Sequence, residues 1–369
     1  MVMFKEKINI YNQFTPIIIY FLGQIIFLIP LFFSHRIFIG KDPLPYGLLL
    51  VHISCFLTFF VGSFFARKIK FKKFKNFKNL VIKTNQFWFL FFLIISLIAI
   101  QYYFFNNIPV LSILFGNSNI NEFNEMNNNS NGILGIWLLL SLFFLIIFCF
   151  TEFKSRNIKV LFFILIGINV IFQAKRQLLF IWLFTLGFFS KKTYSLTRIL
   201  LIISFAFFVF ISIGVSRSGG SIFDPLLIYI GIPIVNASFL FNENTNFLYG
   251  IYGVQSIFYI TLPSYFGGFS SSYILPFPSG GPGMIGLLFY RAGIVGASLY
   301  TFILGFLLTI VWKFGKTNNY FRSIFAFSTW PLFSTATYIH FSNAMFYILP
   351  ILLTTIFIAI STSRKKLPY

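Results

Sequence analysis

Twelve apolar segments, most of them near the length of a bilayer crossing, follow one another along the chain: 16–33, 45–66, 87–105, 133–150, 160–174, 178–189, 199–215, 225–241, 248–263, 284–312, 323–339 and 344–361. One transmembrane helix takes about 20 apolar residues, so these segments consume most of the 369 residues and leave short connections. Only 9% of the residues are charged and 58% are hydrophobic, against roughly a quarter charged in a soluble domain. Too few polar groups remain to cover a water-facing surface. The expectation is an all-α polytopic integral membrane protein with ten to twelve transmembrane helices, and one membrane domain over residues 1–369. The first apolar segment follows only Lys5 and Lys7 and shows no small-residue cleavage site, so it is expected to be a retained helix. The 58 Phe residues, with abundant Ile, Asn and Lys, have the bias of an AT-rich bacterial genome.

Segment 178–189 is short, and two others carry breaks: Pro233 and Asn236 in 225–241, and Gly250, Gly253 and Gln255 in 248–263. Each of these two either spans or dips in and returns, because irregular backbone at membrane depth needs protein or a cavity to cover it.

The net charge of +21 is explained by where the charges fall. With the N-terminus in the cytoplasm and each segment crossing, 22 of the 28 Lys and Arg lie on the cytoplasmic side, as the positive-inside bias requires. Both termini are then cytoplasmic, and the crossings number ten or twelve. Residues 67–86 form a basic cytoplasmic loop that either lies on anionic lipid or serves as a solvated orientation signal; nucleic acid is not the expected partner. Outside lie an Asn-rich loop, 106–132, and a larger external or re-entrant region, 217–286, before the last three helices. Its stretch 264–283 is rich in Gly, Ser, Pro and aromatics, and is either a sugar-facing surface or a plain connector.

The motifs of metal and nucleotide chemistry are missing. No CxxC, HExxH or carboxylate–x–carboxylate pattern occurs, and Gly315-Lys316-Thr317 lacks the upstream Gly of a phosphate loop, which is Ile310 here. No cofactor and no metal is expected. Cys55 and Cys149 sit in apolar runs and are expected to be buried packing residues. His35 and His52 look like interface and packing residues. What remains is charge on the external side or within the membrane, and at membrane depth a charge is costly and points by default to a site. Arg176 (in AKRQ), Arg217 (in GVSRSGG) and Arg291 (in FYRAG) are candidate pyrophosphate-binding groups, because guanidinium is a planar fork of donors; Arg36 reads as a snorkelling anchor. His340 (in YIHFSN) and Glu243 (in NENTN) are the candidate catalytic acid–base groups. Asp224, before Pro225, is a candidate too, or a helix cap.

Three stretches resemble the oligosaccharide repeat unit polymerases, the Wzy-type O-antigen polymerases. FQAKRQLLFIWLFTLGFF (172–189) is similar to the family's paired helices, with Arg176 at the external turn. YIGIPIVNASFLFNENTNFLYGIYG (229–253) is similar to its Gly/Pro segment, Asn-rich turn and aromatic-Gly stretch. FYRAGIVGASLYTFILGFLLTIVW (289–312) is similar to its aromatic–Gly helix, although many members have an acidic residue where Arg291 stands. The O-antigen ligases share the architecture, and His340 is similar to their external His. The resemblance implies a metal-independent glycosyltransferase in the bacterial inner membrane. Its substrates would be undecaprenyl-pyrophosphate-linked glycans, with membrane lipid around it and a chain-length regulator protein as a further partner. The Arg residues would stabilise the leaving pyrophosphate, and His340 or Glu243 would activate the acceptor hydroxyl. An O-antigen ligase and a lipid-linked oligosaccharide flippase or transporter are the alternatives; a flippase is expected to show repeated halves, and no internal repeat is evident.

Overall fold

The structure is a computed structural model that describes residues 7–8, 11, 14–25, 46–70, 80–82, 84–105, 133–153, 156–172, 176–189, 194–195, 232–243, 246–251, 283–335 and 347–363, with 201, 204 and 208 as isolated positions. The described chain is mostly helical. Helices α1 (Pro16–Ile25), α2 (Tyr46–Lys68), α3 (Thr84–Phe105), α4 (Ile133–Phe150), α5 (Arg156–Phe172), α6 (Arg176–Phe189), α7 (Ile232–Glu243), α8 (Gly283–Gly315), α9 (Asn319–Phe333) and α10 (Leu349–Ser363) follow the apolar segments. Four short strands depart from the all-α expectation. β1 (Lys7–Ile8) pairs antiparallel with β4 (Tyr194–Ser195), and β2 (Leu80–Ile82) pairs parallel with β3 (Thr151–Phe153).

Among the described residues, α2 and α8 are long and apolar enough to cross a membrane. Their outward faces are apolar too. Leu50, Ile53, Leu57, Phe60, Val61 and Phe64 are exposed along α2, and Val295, Leu299, Ile303 and Leu307 form a four-residue stripe on α8. A contiguous exposed patch of this kind is rare on a water-soluble monomer, whereas lipid tails solvate it without cost.

The inward faces of these two helices meet along a seam of small and hydroxyl residues. The Ser54 and Ser298 hydroxyls lie 2.8 Å apart, as do those of Thr58 and Thr301, and Ser63 Oγ donates to the Gly305 carbonyl at 3.2 Å. A Cβ added to Gly62 would strike the Phe302 carbonyl, and one added to Gly305 the Phe59 carbonyl. With no hydrophobic drive between helices in lipid, close backbone approach and interhelical hydrogen bonds hold such pairs. Residue numbers rise together along both helices, so α2 and α8 run parallel. At their shared C-terminal end, Lys313 Nζ donates to the carbonyls of Ala66, Arg67 and Ile69, where a cation complements the helix dipole. The N-terminal segment joins this same end: Tyr11 Oη donates to the Trp312 carbonyl at 2.8 Å, and Trp312 Nε1 returns a bond to the Tyr11 carbonyl at 3.0 Å.

Helix α9 returns from that end and is buried along most of its length. It packs antiparallel to α6: Phe180 stacks on Trp330 at 4.4 Å, and Phe188 meets Phe325 farther back. Behind α6, α4 and α5 complete a second core, joined by Asn169 Nδ2 donating to Ser141 Oγ at 2.6 Å. Cys55 and Cys149 are buried in these two cores, in line with the packing role read from the sequence.

Candidate functional site

The apolar segment 284–312 looks continuous, but α8 is broken at Gly293, whose φ of 64° and ψ of −171° lie in a region essentially reserved for glycine. A short half-helix, 283–292, precedes the break, and a longer one, 294–315, follows it. The longer half measures about 33 Å at 1.5 Å per residue, close to the hydrocarbon thickness of a bilayer. The break therefore lies one membrane thickness from the basic end of α2 and α8. Arg291 occupies the last turn of the short half-helix, two residues before the break.

The break strands backbone groups, and a second segment satisfies them. Ile294 N donates to the Phe247 carbonyl at 3.0 Å, Val295 N to the Leu248 carbonyl at 3.2 Å, and Ile251 N to the Tyr290 carbonyl at 3.0 Å. The inserted segment is the turn 246–251. Asn246 shapes it, its Oδ1 accepting from Tyr249 N and its carbonyl from Gly250 N, as Asn commonly does. Gly250, with φ of 68°, rests against the Arg291 carbonyl, and a Cβ there would overlap it. The backbone groups that the break strands are thus satisfied within the protein, as buried backbone requires. Aromatic rings brace it: Phe289 stacks on Phe241 at 5.0 Å and meets Phe247 at 5.4 Å.

Arg291 is half-buried, and its Nε is sealed from solvent without a hydrogen-bond partner. No ion pair to it forms among the described residues. A buried guanidinium donor left unpaired costs about 1–3 kcal/mol or more, a deficit that an anion would remove. Helix α7 ends at Glu243, and its Phe241 stacks on Phe289, two residues before Arg291; the Glu243 side chain lies outside the described residues. Arg176 opens α6, at the end of the bundle where α9 finishes, away from the basic end. Arg217 and His340 lie outside the described residues, as do Arg36, His35 and Asp224.

The region 217–286 was expected to be external or re-entrant. Of its segment 225–241, the described part is α7, which is about 18 Å long and runs on to include Glu243. Of segment 248–263, the described part is the clamping turn. Among the described residues no group of three or more His, Cys, Asp or Glu is placed to hold a metal ion.

Two features were not foreseen. One is the break itself; the other is a buried polar chain on the same side of the bundle. His52 Nδ1 donates to Gln24 Oε1 at 2.9 Å, Gln24 Nε2 donates to Thr335 Oγ1 at 2.9 Å, and the Thr335 carbonyl accepts from Met284 N at 3.2 Å. This chain pins the start of the short half-helix to α1, α2 and the end of α9. His52 thereby has a packing role with a specific partner.

Compared with known protein families, curated proteins and solved structures, the chain matches none.

Proposed function

We propose that this chain polymerises undecaprenyl-pyrophosphate-linked oligosaccharide repeat units into O-antigen or capsular polysaccharide, as a multi-pass protein of the bacterial inner membrane working on its external face. The observation that carries the reading is the junction at Gly293. Two of the three stretches that resemble the repeat unit polymerases, 229–253 and 289–312, interlock there through backbone hydrogen bonds, and Arg291 presents an unpaired buried donor beside them.

In this reading the acceptor hydroxyl attacks the anomeric carbon of the donor glycan. The new glycosidic bond forms as the bond from that carbon to the pyrophosphate oxygen breaks. Arg291, with Arg176 and Arg217, holds the pyrophosphate whose charge grows as it leaves; fixed cations in a water-poor site are worth most there. Glu243 or His340 takes the hydroxyl proton.

The orientation has support of its own. Parallel crossing is what α2 and α8 would need if both run from outside to inside. Both strand pairs join segments that charge places on the cytoplasmic side: 7–8 with 194–195, and 80–82 with 151–153. A chain-length regulator protein is the further partner of this reading.

The test is a surface-glycan gel of a deletion strain, complemented by wild type or by Arg291→Ala at matched membrane levels. Lipid A-core capped by a single repeat, with the ladder gone in the deletion and reduced at least tenfold by Arg291→Ala, supports polymerisation. Bare core in the deletion would move the block to flipping or ligation and overturn the reading.

A further inference from the structure

The corner between α8 and α9, at the basic end of the bundle, gathers donors and positive charge with no ion-paired acidic partner among the described residues. Arg322, one turn into α9, keeps only 5% exposure. Its guanidinium lies 4.2 Å over the Tyr11 ring, and its Nε has no hydrogen-bond partner. Asn318, the N-cap of α9, is 3% exposed. Its Oδ1 accepts from Tyr320 N, while its Nδ2 has no partner. Arg322 N donates to the Asn318 carbonyl, so the two residues sit one turn apart on one side of the helix, at the end where its dipole favours an anion.

Two more cations gather at the Trp312 ring, whose Nε1 donates to the carbonyl of the same Tyr11 that carries Arg322. Lys316 Nζ lies 3.9 Å over the Trp312 ring, and Arg67 lies 5.8 Å from the same ring. Burial, and then the like charges of Arg67 and Lys313, pull the Lys316 ammonium below its usual range. Neither Arg67, Lys316 nor Arg322 forms an ion pair among the described residues. Unpaired buried donors cost stability, and like charges raise that cost; a small dianion or monoanion with several acceptor oxygens would relieve both.

We propose that this corner is a phosphate site. Arg322, Asn318, Lys316 and Arg67 together hold the phosphate group of an anionic lipid headgroup. The apolar rim argues for lipid as the source: Phe65 and Ile69, both exposed, stand beside it, at the height where acyl chains give way to headgroups. This site is independent of the catalytic reading, because it lies a membrane thickness from Arg291.

The full-length protein, purified in an uncharged detergent, is melted during titration with dihexanoyl phosphatidylglycerol, dihexanoyl phosphatidylcholine or inorganic phosphate. Phosphatidylglycerol is expected to raise the melting temperature saturably, with a midpoint at least tenfold below that of phosphatidylcholine, whose choline offsets its phosphate. Lys316→Ala, at an exposed position, is expected to shift that midpoint at least tenfold upward. Lys68→Ala, whose ammonium lies over Phe64 instead, is expected to leave it within twofold. Arg322→Gln should behave as Lys316→Ala does; if it fails to fold, Lys316→Ala carries the test. Saturation by inorganic phosphate at the same midpoint would keep the phosphate site and overturn the lipid as its source. Equal shifts in Lys316→Ala and Lys68→Ala, or no preference for phosphatidylglycerol, would overturn the site itself.

Discussion

Replacing Gly293 with Ala separates a broken α8 from a continuous one by the sign of its effect. In an unbroken helix Ala is favoured over Gly by about 1 kcal/mol, so the substitution would stabilise the protein. At the observed φ of 64° and ψ of −171° a side chain costs about 1–3 kcal/mol in backbone strain. Its Cβ would also strike the Leu248 carbonyl, which is backbone and has no rotamer to change. The clamping turn must then retreat and surrender its three hydrogen bonds to 290, 294 and 295, each worth about 1 kcal/mol. The expected loss is about 4–6 kcal/mol, a large part of the roughly 5–15 kcal/mol that holds a folded protein together. Fluorescence-detected gel filtration after a temperature series reads this directly on detergent-solubilised protein. Gly187→Ala serves as the comparison, since nothing lies within 4 Å of the added Cβ inside α6, and it should be neutral or slightly stabilising. A Gly293→Ala protein as heat-resistant as the Gly187→Ala protein would refute the broken helix and the site built on it.

Gly62→Ala and Gly305→Ala should each lower the melting temperature by the equivalent of about 1–3 kcal/mol, the usual cost of overpacking. The double variant should cost less than the two single losses together, because both force the same pair of helices apart; full additivity, measured by the same melts, would argue against a shared seam. Cys55 and Cys149 should resist a maleimide on the folded protein and react only after denaturation, as mass spectrometry of the labelled chain would show. Burial holds the Tyr11 phenol well above its usual range, and the nearby Arg322 charge offsets this only in part. Below about pH 10 both folded and unfolded Tyr11 keep the proton. Above it only the unfolded form ionises, so stability should fall as pH rises further. Tyr11→Phe should lose the Trp312 bond at every pH but show a shallower alkaline decline in melting temperature.

Hydropathy alone locates most of the helices, because a stretch of twenty apolar residues has few other ways to satisfy its backbone in lipid. Helix α6 begins two residues before its apolar segment, and α9 four residues before its own, shifts that reflect polar residues drawn into first turns. The break in α8 is invisible by the same logic. Gly293 sits in a run as apolar as the one around Gly305, yet one glycine bends the backbone while the other admits a neighbouring helix. Residue type does not distinguish those roles; only the partner segment does, and that segment lies some 45 residues away at Asn246–Ile251. The α2 side of the seam left a trace in Ser54, Thr58 and Gly62, spaced four apart, which an average over hydropathy erases. Arg291 and Glu243 were legible as rare charges in an apolar chain. That the turn 246–251 packs against the backbone of Arg291 was not, since it depends on how that turn enters the broken helix.

The hydroxyl seam also has a consequence for synthesis. Ser54 meets Ser298 across 244 residues, so a ribosome adding about 5–20 residues per second needs roughly 12–50 s to supply the partner. During that interval α2 lacks the α8 half of its seam. Thr58 Oγ1 also donates to the Ser54 carbonyl of its own helix at 2.9 Å, a bond that does not need α8. The early helix is thus tolerable alone but finished only by the late one, which makes the N-terminal quarter of the chain a client of its own C-terminal quarter during assembly.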